Sequence, residues 1–370
     1  MKQGWTYKKL GEVANVVHGK NQKDVLSDEG PYPIYGSGGN VMGYANDYLC
    51  EAGTTILGRK GSINNPQFIE VRFWNVDTAF GITPKDDNCS KYIYYFIKSV
   101  DWSKKNTGTT LPSLTQQVVK DVVIPTPQPS EQQRIVSRLD AAFAHIDELK
   151  ANAEKQLSEA RTLFQKSLEE AMKPKEGWEE KTLGDICEII RGKRFVRADI
   201  VEEGVPCIHY GDIYTYYGLS ATKTKGCIRP ELATKMRFAE KNDVVVVQAG
   251  ENNWDIGVGV AYFGEVPAAV HDACFILKHK QIPMYISYYL RSYKYHLYLI
   301  DYVHEGKICS FLKPALEKAP ISLPPLTEQQ RIVSRLDSLS ANVKKLEEIM
   351  QKTVAECDAL KQAMLRQVFE

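Results

Sequence analysis

The sequence predicts a mixed α/β (α+β) protein built twice over: two globular domains separated by a long antiparallel two-helix coiled coil, with an internal pseudo-two-fold duplication. Three observations carry this. The decapeptide Glu-Gln-Gln-Arg-Ile-Val-Ser-Arg-Leu-Asp occurs at 131–140 and again at 328–337, an offset of 197 (328 − 131). Each occurrence opens a segment with helical periodicity and no proline or glycine. The frames upstream also recur, since Gly4-Trp5, Leu10-Gly11 and Gly19-Lys20 return as Gly177-Trp178, Leu183-Gly184 and Gly192-Lys193. That second offset is 173 (178 − 5), so the second copy carries about 24 extra residues before its helix. The expected order is a globule at 1–128, a helix at 129–173, a globule at 174–325 and a helix at 326–370.

In the globules, strand-like runs stand at 54–57, 244–247 and 257–263, followed by short Tyr-rich helices at 92–99 and 285–292. Asp77-Thr78-Ala79-Phe80 parallels Asp272-Ala273-Cys274-Phe275, and residues 33–36 parallel 206–211. Tyr92, Tyr94, Tyr95, Tyr285, Tyr288 and Tyr289 read as core or interface aromatics rather than base-stacking platforms.

Each long helix should start at a capping box, Ser130 with Gln133 and Thr327 with Gln330, behind Pro127, Pro129, Pro324 and Pro325. The first should end near Met172, before Lys173-Pro174. In the second, Ile332, Leu336, Leu339, Val343, Leu346, Met350, Thr353, Cys357, Leu360 and Met364 follow alternating steps of four and three. Subtracting 197 places Ile135, Leu139, Ile146, Leu149 and Leu163 on the matching stripe of the first. A helix of about 42 residues spans ~63 Å, too long for one compact globule, which favours pairing of the two over separate packing.

Composition sets outer bounds. A hydrophobic fraction of 43% and charged fraction of 25% are ordinary for a globular chain, and a net charge of +1 neither demands nor forbids nucleic acid. No stretch approaches the ~20 apolar residues of a membrane span, and Met-Lys-Gln-Gly-Trp lacks a signal-peptide core, which predicts a cytoplasmic location. Eight scattered cysteines and seven histidines show no metal-ligand spacing.

Loops rich in glycine, amide and basic residues interrupt the strands. The first copy offers Tyr35, Ser37 and Asn40, then Arg59, Lys60 and Ser62, then Lys104, Lys105 and Asn106. The second offers Tyr210 and Asp212, then Gln248, Asn252, Asn253 and Trp254, and finally Lys307. Arg and Lys suit guanine edges and phosphates, Asn and Gln suit adenine, and glycine admits close backbone approach. Any one such loop is most simply a solvated turn; recurrence on two globules gives the set its weight.

The proline-rich approach to Ser/Thr-Glu-Gln-Gln-Arg-Ile-Val, the long helix behind it, and the paired Gly-Trp…Leu-Gly starts at Gly4 and Gly177 together resemble the specificity subunit of type I restriction-modification systems. The resemblance covers essentially the whole chain. It implies two target recognition domains, each reading half of a split, asymmetric double-stranded DNA sequence, with the helices as a ruler for the gap. It implies assembly with two methyltransferase subunits and two motor-nuclease subunits. This chain would bind no cofactor or metal, S-adenosylmethionine, ATP and Mg²⁺ belonging to those partners.

The residues give no sign of catalysis. Asn64-Asn65-Pro66-Gln67-Phe68 lacks the second proline of an adenine methyltransferase motif, and residues 58–62 lack phosphate-loop spacing. Glu179-Glu180-Lys181 and Glu305-Gly306-Lys307 meet only a trivial Glu-x-Lys pattern of nucleases. A structural adaptor that never touches DNA, or a related methyltransferase system without cleavage, stays open on the residues alone.

Overall fold

The repeated decapeptide lies in the first turns of two 44-residue helices, Pro129–Met172 and Leu326–Phe369, in a computed structural model that describes residues 4–304, 306 and 308–370. Neither helix starts at the expected capping box. The amides of Glu131 and Gln132 already bond the Gln128 carbonyl, and those of Glu328 and Gln329 bond Pro325. Pro129 therefore occupies the first helical position, where its missing N–H costs nothing. Glu131 instead grips Arg134 through two 2.7 Å bonds, as Glu328 grips Arg331.

Other repeated residues tie the helix to its globule. Gln132 is buried, its Oε1 accepting from the Cys89 amide (2.9 Å) while Nε2 donates to Asn88 Oδ1 and the Pro127 carbonyl. Gln329 does the same with Ile282, Gln281 and Pro324. Asp140 accepts from the Tyr95 hydroxyl, and Asp337 from Tyr288 (2.7 Å). Burial, with the carboxylate alongside, raises both phenols well above their usual range. The motif is thus a clamp between helix and globule, used twice.

The chain divides into two compact units, Met1–Glu154 with Met350–Glu370, and Lys155–Ile349. Each unit contains a globule and an antiparallel stretch of the helix pair. In the first, Lys150 pairs with Asp358 (3.0 Å) and Lys361 with Asp147; in the second, Arg161 pairs with Glu347 (2.7 Å). The residue numbers of all three pairs total 508, so one register holds in both units.

The expected seam holds except at Leu149, Leu163 and Leu360, where it is off by one position. Ile135, Leu139, Ile146, Ile332 and Leu336 are buried, and Leu339, Val343 and Leu346 are half-buried. Leu149 and Leu163, both 59% exposed, and Leu360, 51% exposed, face outward. Their inward places go to Lys150, Phe164 and Lys361, with Phe143 and Leu157 on the same stripe. Lysine can fill a seam because its methylene stem packs while its ammonium reaches an aspartate on the facing helix.

The first globule has a four-stranded sheet ordered Ala14–His18, Ala79–Pro84, Thr54–Gly58, Gln67–Ile69, and a three-stranded sheet ordered Val41–Ala45, Tyr32–Tyr35, Trp74–Asn75. The second repeats both with added edges. Its first sheet runs Cys187–Arg191, Cys274–His279, Val244–Val247, Gly259–Tyr262, Ser220–Ala221, and its second Ile200–Val201, Gly226–Ile228, Val205–Ile208, Ala268–Val270, Phe238–Ala239. The all-apolar strand Val244–Val247 is fully buried at the centre of its sheet, as Thr54–Gly58 is in its own. In each unit the strand after the Gly-Trp start pairs antiparallel with the strand before the long helix, Thr6–Lys9 with Val123–Thr126 and Glu179–Thr182 with Pro320–Leu323. Tyr92, Tyr95, Tyr285, Tyr288 and Tyr289 are buried between sheet and helices.

Candidate nucleic-acid interface

The central strand of each main sheet runs into a polar loop, 58–62 in the first unit and 248–255 in the second. In the first unit three loops converge. The Gly61 amide donates to the Pro112 carbonyl (2.9 Å) and the Leu114 amide to that of Arg59 (2.8 Å), seating the 106–113 loop on the 58–62 turn. Asn65 Nδ2 reaches the Gly38 carbonyl (3.3 Å), and an added Cβ on Gly38 would touch Ser62 Oγ at 3.5 Å. Gly39, at φ +80°, makes the tight 36–40 turn possible.

Ser37, Asn40, Arg59, Lys60 and Ser62 are thereby brought onto one surface, with Asn40, Lys60 and Ser62 exposed. Arg59 Nε donates to the Asp77 carbonyl (2.9 Å), which fixes the guanidinium. Lys104 and Lys105 are exposed in the 3₁₀ turn Trp102–Lys105, where Lys104 lies 3.6 Å from Asp101. Two candidates are committed elsewhere. Tyr35 packs edge-on against Phe73 (5.5 Å), and Asn106 closes its own loop through Gly108 and Ser113.

In the second unit Tyr210 and Asp212 open the helix Tyr210–Thr215 and line a cleft of about 610 Å³. His209, in the same loop, shares it, and sequence reasoning missed the others that do: Arg194, Arg197, Lys225 and the imidazole of His271. Lys225 bonds Asp212 (3.0 Å), His209 lies 4.3 Å from the Tyr210 ring and 4.7 Å from His271, and Arg191 Nε donates to the Asp272 carbonyl as Arg59 does to Asp77. Burial holds both histidines below their ordinary pKa, and each Nδ1 already accepts from a backbone amide, that of Gly211 for His209 (3.3 Å) and of Ala273 for His271 (3.0 Å). The basic run Lys193-Arg194-Phe195-Val196-Arg197, which begins at the lysine of the repeated Gly-Lys, was the available signal.

The remaining second-unit candidates fall away from this cleft. Gln248 is buried, its amide donating to the Phe311 carbonyl (3.0 Å), so it cannot meet a base. Asn252 spends its side chain on Trp254 and Asp255 within its loop, and Asn253 is half-buried. Trp254 is exposed but stacks on His296 (4.1 Å, 11° between planes), beside the long helix. Lys307 lies outside the described residues.

Matching sheets that carry unlike polar loops on a duplicated helical frame define a recognition protein with two separate readers. The chain belongs to the family described as the type I restriction modification DNA specificity domain, whose profile matches residues 2–159 and 175–353. It is 26% identical over 349 residues to a putative type I restriction enzyme specificity subunit of Haemophilus influenzae, covering 90% of this chain and 86% of that one. It is also 26% identical over 302 residues to the MjaIX specificity subunit of Methanocaldococcus jannaschii, covering 70% and 63%. Among solved structures it is similar in fold to a chain from a study of assembly and conformational transition in the type I restriction-modification system (TM-score 0.78, 20% identity, 99% and 98% covered). The HsdS subunit of Thermoanaerobacter tengcongensis is also similar (TM-score 0.57, 20% identity, 100% and 97% covered).

The chain is therefore a DNA sequence-specificity subunit with two recognition domains, non-catalytic itself, whose partners are DNA and the modification and restriction subunits of a type I system. No helix among the described residues is long and apolar enough to cross a membrane.

Proposed function

We propose that the two units read the two halves of a bipartite, asymmetric duplex target. Ser37, Asn40, Arg59, Lys60, Ser62, Lys104 and Lys105 would meet one half, and Tyr210, Asp212, Arg194, Arg197 and Lys225 the other. The boundaries that go with this reading are recognition domains at 1–128 and 174–325 and spacer helices at 129–173 and 326–370. The observation that supports it most is that the sheets beneath these loops repeat while the loops do not. Each reader then has its own selectivity on a shared frame. Two methyltransferase and two motor-nuclease subunits complete the assembly, and S-adenosylmethionine, ATP and Mg²⁺ bind those partners.

The test is selection from a randomised duplex library by this chain with its methyltransferase partner. Two short specified blocks separated by a fixed gap are expected; uniform recovery without a motif would make the chain an assembly scaffold. Replacing Arg59 and Lys60 together by alanine should weaken binding and flatten the dependence of log K on log salt by about two, one unit per lost phosphate contact. An unchanged slope would remove the 58–62 turn from the interface.

A further inference from the structure

The second unit has a cleft of about 520 Å³ beside Phe164 and Leu168 of the first long helix, closed by Trp254, Leu290, Arg291 and His296. Arg291 is its unusual member. Nη2 donates to the carbonyls of Gly218 (2.7 Å) and Gly259 (3.3 Å), while Nε is buried and meets no acceptor. Among the described residues no carboxylate pairs with this guanidinium; the titratable group acting on it is the Tyr288 phenol, which donates to Asp337. Burial holds Arg291 below its ordinary pKa, at about 10. Arg291 is half-buried, and a partly desolvated cation without a counter-ion is costly unless something supplies the negative charge.

Its neighbour repeats the pattern. His296 Nε2 is also buried without a partner, and its ring carries Trp254, which remains 62% exposed. Beyond the cleft, Tyr293, Leu297 and Ile300 form an exposed apolar row on one face of the helix Tyr293–Ile300. None of this recurs among the described residues of the first unit. The position matching Arg291 is Lys98, whose ammonium donates to the Tyr94 hydroxyl (2.9 Å), and only the turn Trp102–Lys105 stands where the second unit has a helix.

We propose that this cleft docks a partner protein through an acidic residue flanked by apolar side chains, one such contact per chain. The unpaired guanidinium calls for a carboxylate, and the aromatic walls and apolar rim call for apolar neighbours on either side of it. DNA fits poorly, because phosphate tracking needs several exposed cations and the rim offers Tyr293, Leu297 and Ile300. The contact is independent of the proposed DNA-reading loops, so its failure would leave motif selection unchanged.

The probe is acetyl-Leu-Glu-Leu-amide titrated into the full chain, with acetyl-Leu-Gln-Leu-amide as control. The readout is Trp254 fluorescence, identified by its loss in Trp254→Phe. The Glu peptide should bind about tenfold more tightly than the Gln peptide, the low end of what a charge-assisted hydrogen bond contributes. Arg291→Gln should abolish that preference. Leu297→Asp, on the rim and clear of the carbonyl bonds that Arg291 makes, removes an apolar contact both peptides share and adds repulsion against the Glu peptide alone, so it should weaken both and the Glu peptide severalfold more. Equal binding of the two peptides, or no Trp254 response to either, overturns the proposal. Displacement of the Glu peptide by random-sequence duplex DNA also overturns it and assigns the cleft to phosphate.

Discussion

His279 ends the strand Cys274–His279 with Nδ1 accepting from the Gln281 amide (3.1 Å) and Nε2 buried without a partner. Protonation would remove the acceptor and strand a charge, so burial lowers its pKa from 6.5 to about 4. The sign follows directly. Between those values the unfolded chain binds the proton and the folded one does not, so the stabilisation is complete above the unfolded value and is lost as pH falls toward the folded one. Acidifying from about pH 7 to about pH 5 should therefore cost on the order of 2 kcal/mol through this residue alone. His279→Asn, which keeps an acceptor for Gln281, should lose less stability than the parent over that range in urea unfolding. Equal losses would show that other groups carry the acid sensitivity. The same scale shows what residue type cannot reveal. Asn106, Asn252 and Gln248 have the amides a DNA reader wants, yet each is spent on its own surroundings. Arg194 and Arg197 sit in a basic run that hints at a surface, but they become a site only because the fold brings them to one cleft with Lys225, which nothing local marks.

At the scale of elements, the long helices were legible because a 3.5-residue apolar repeat needs a helical partner, and the antiparallel ion pairs agree. The facing stripe was less legible. Counting hydropathy favours Leu149, Leu163 and Leu360 over Lys150 and Lys361, since it sees the ammonium and not the methylene stem. Phe143 marks the true seam: it meets Tyr95 edge-on (5.4 Å) with the Lys361 ammonium 5.3 Å from its ring centre. Phe143→Ala should cost about 3 kcal/mol in denaturant unfolding, as for a buried aromatic. Leu149→Ser should stay within about 0.5 kcal/mol, as for a surface change. The reverse order would restore the expected heptad.

For the whole molecule, duplication was the most legible property, because ten identities and two matching frames survive in the sequence. The 24 or so added residues of the second copy gave no comparable signal. Its additions, among them the edge strands Ile200–Val201 and Ser220–Ala221 and the helix Tyr293–Ile300, pack against neighbours no local pattern encodes. The ruler reading makes a numerical demand on the repeated part. Gln156 and Thr353 are equivalent under the 197-residue offset, so one heptad inserted after each keeps the seam in phase. Seven residues lengthen a helix by ~10.5 Å, about three base pairs at the ~3.4 Å rise of duplex DNA. Library selection with the lengthened chain should return the parental half-sites with the gap widened by about three base pairs. Inserting four residues at each point instead breaks the four-three alternation and should reduce stability as well as shift the gap. Parental half-sites at the parental gap, recovered with the heptad insertion, would show that the helices do not set the spacing and serve only to join the units and dock partners.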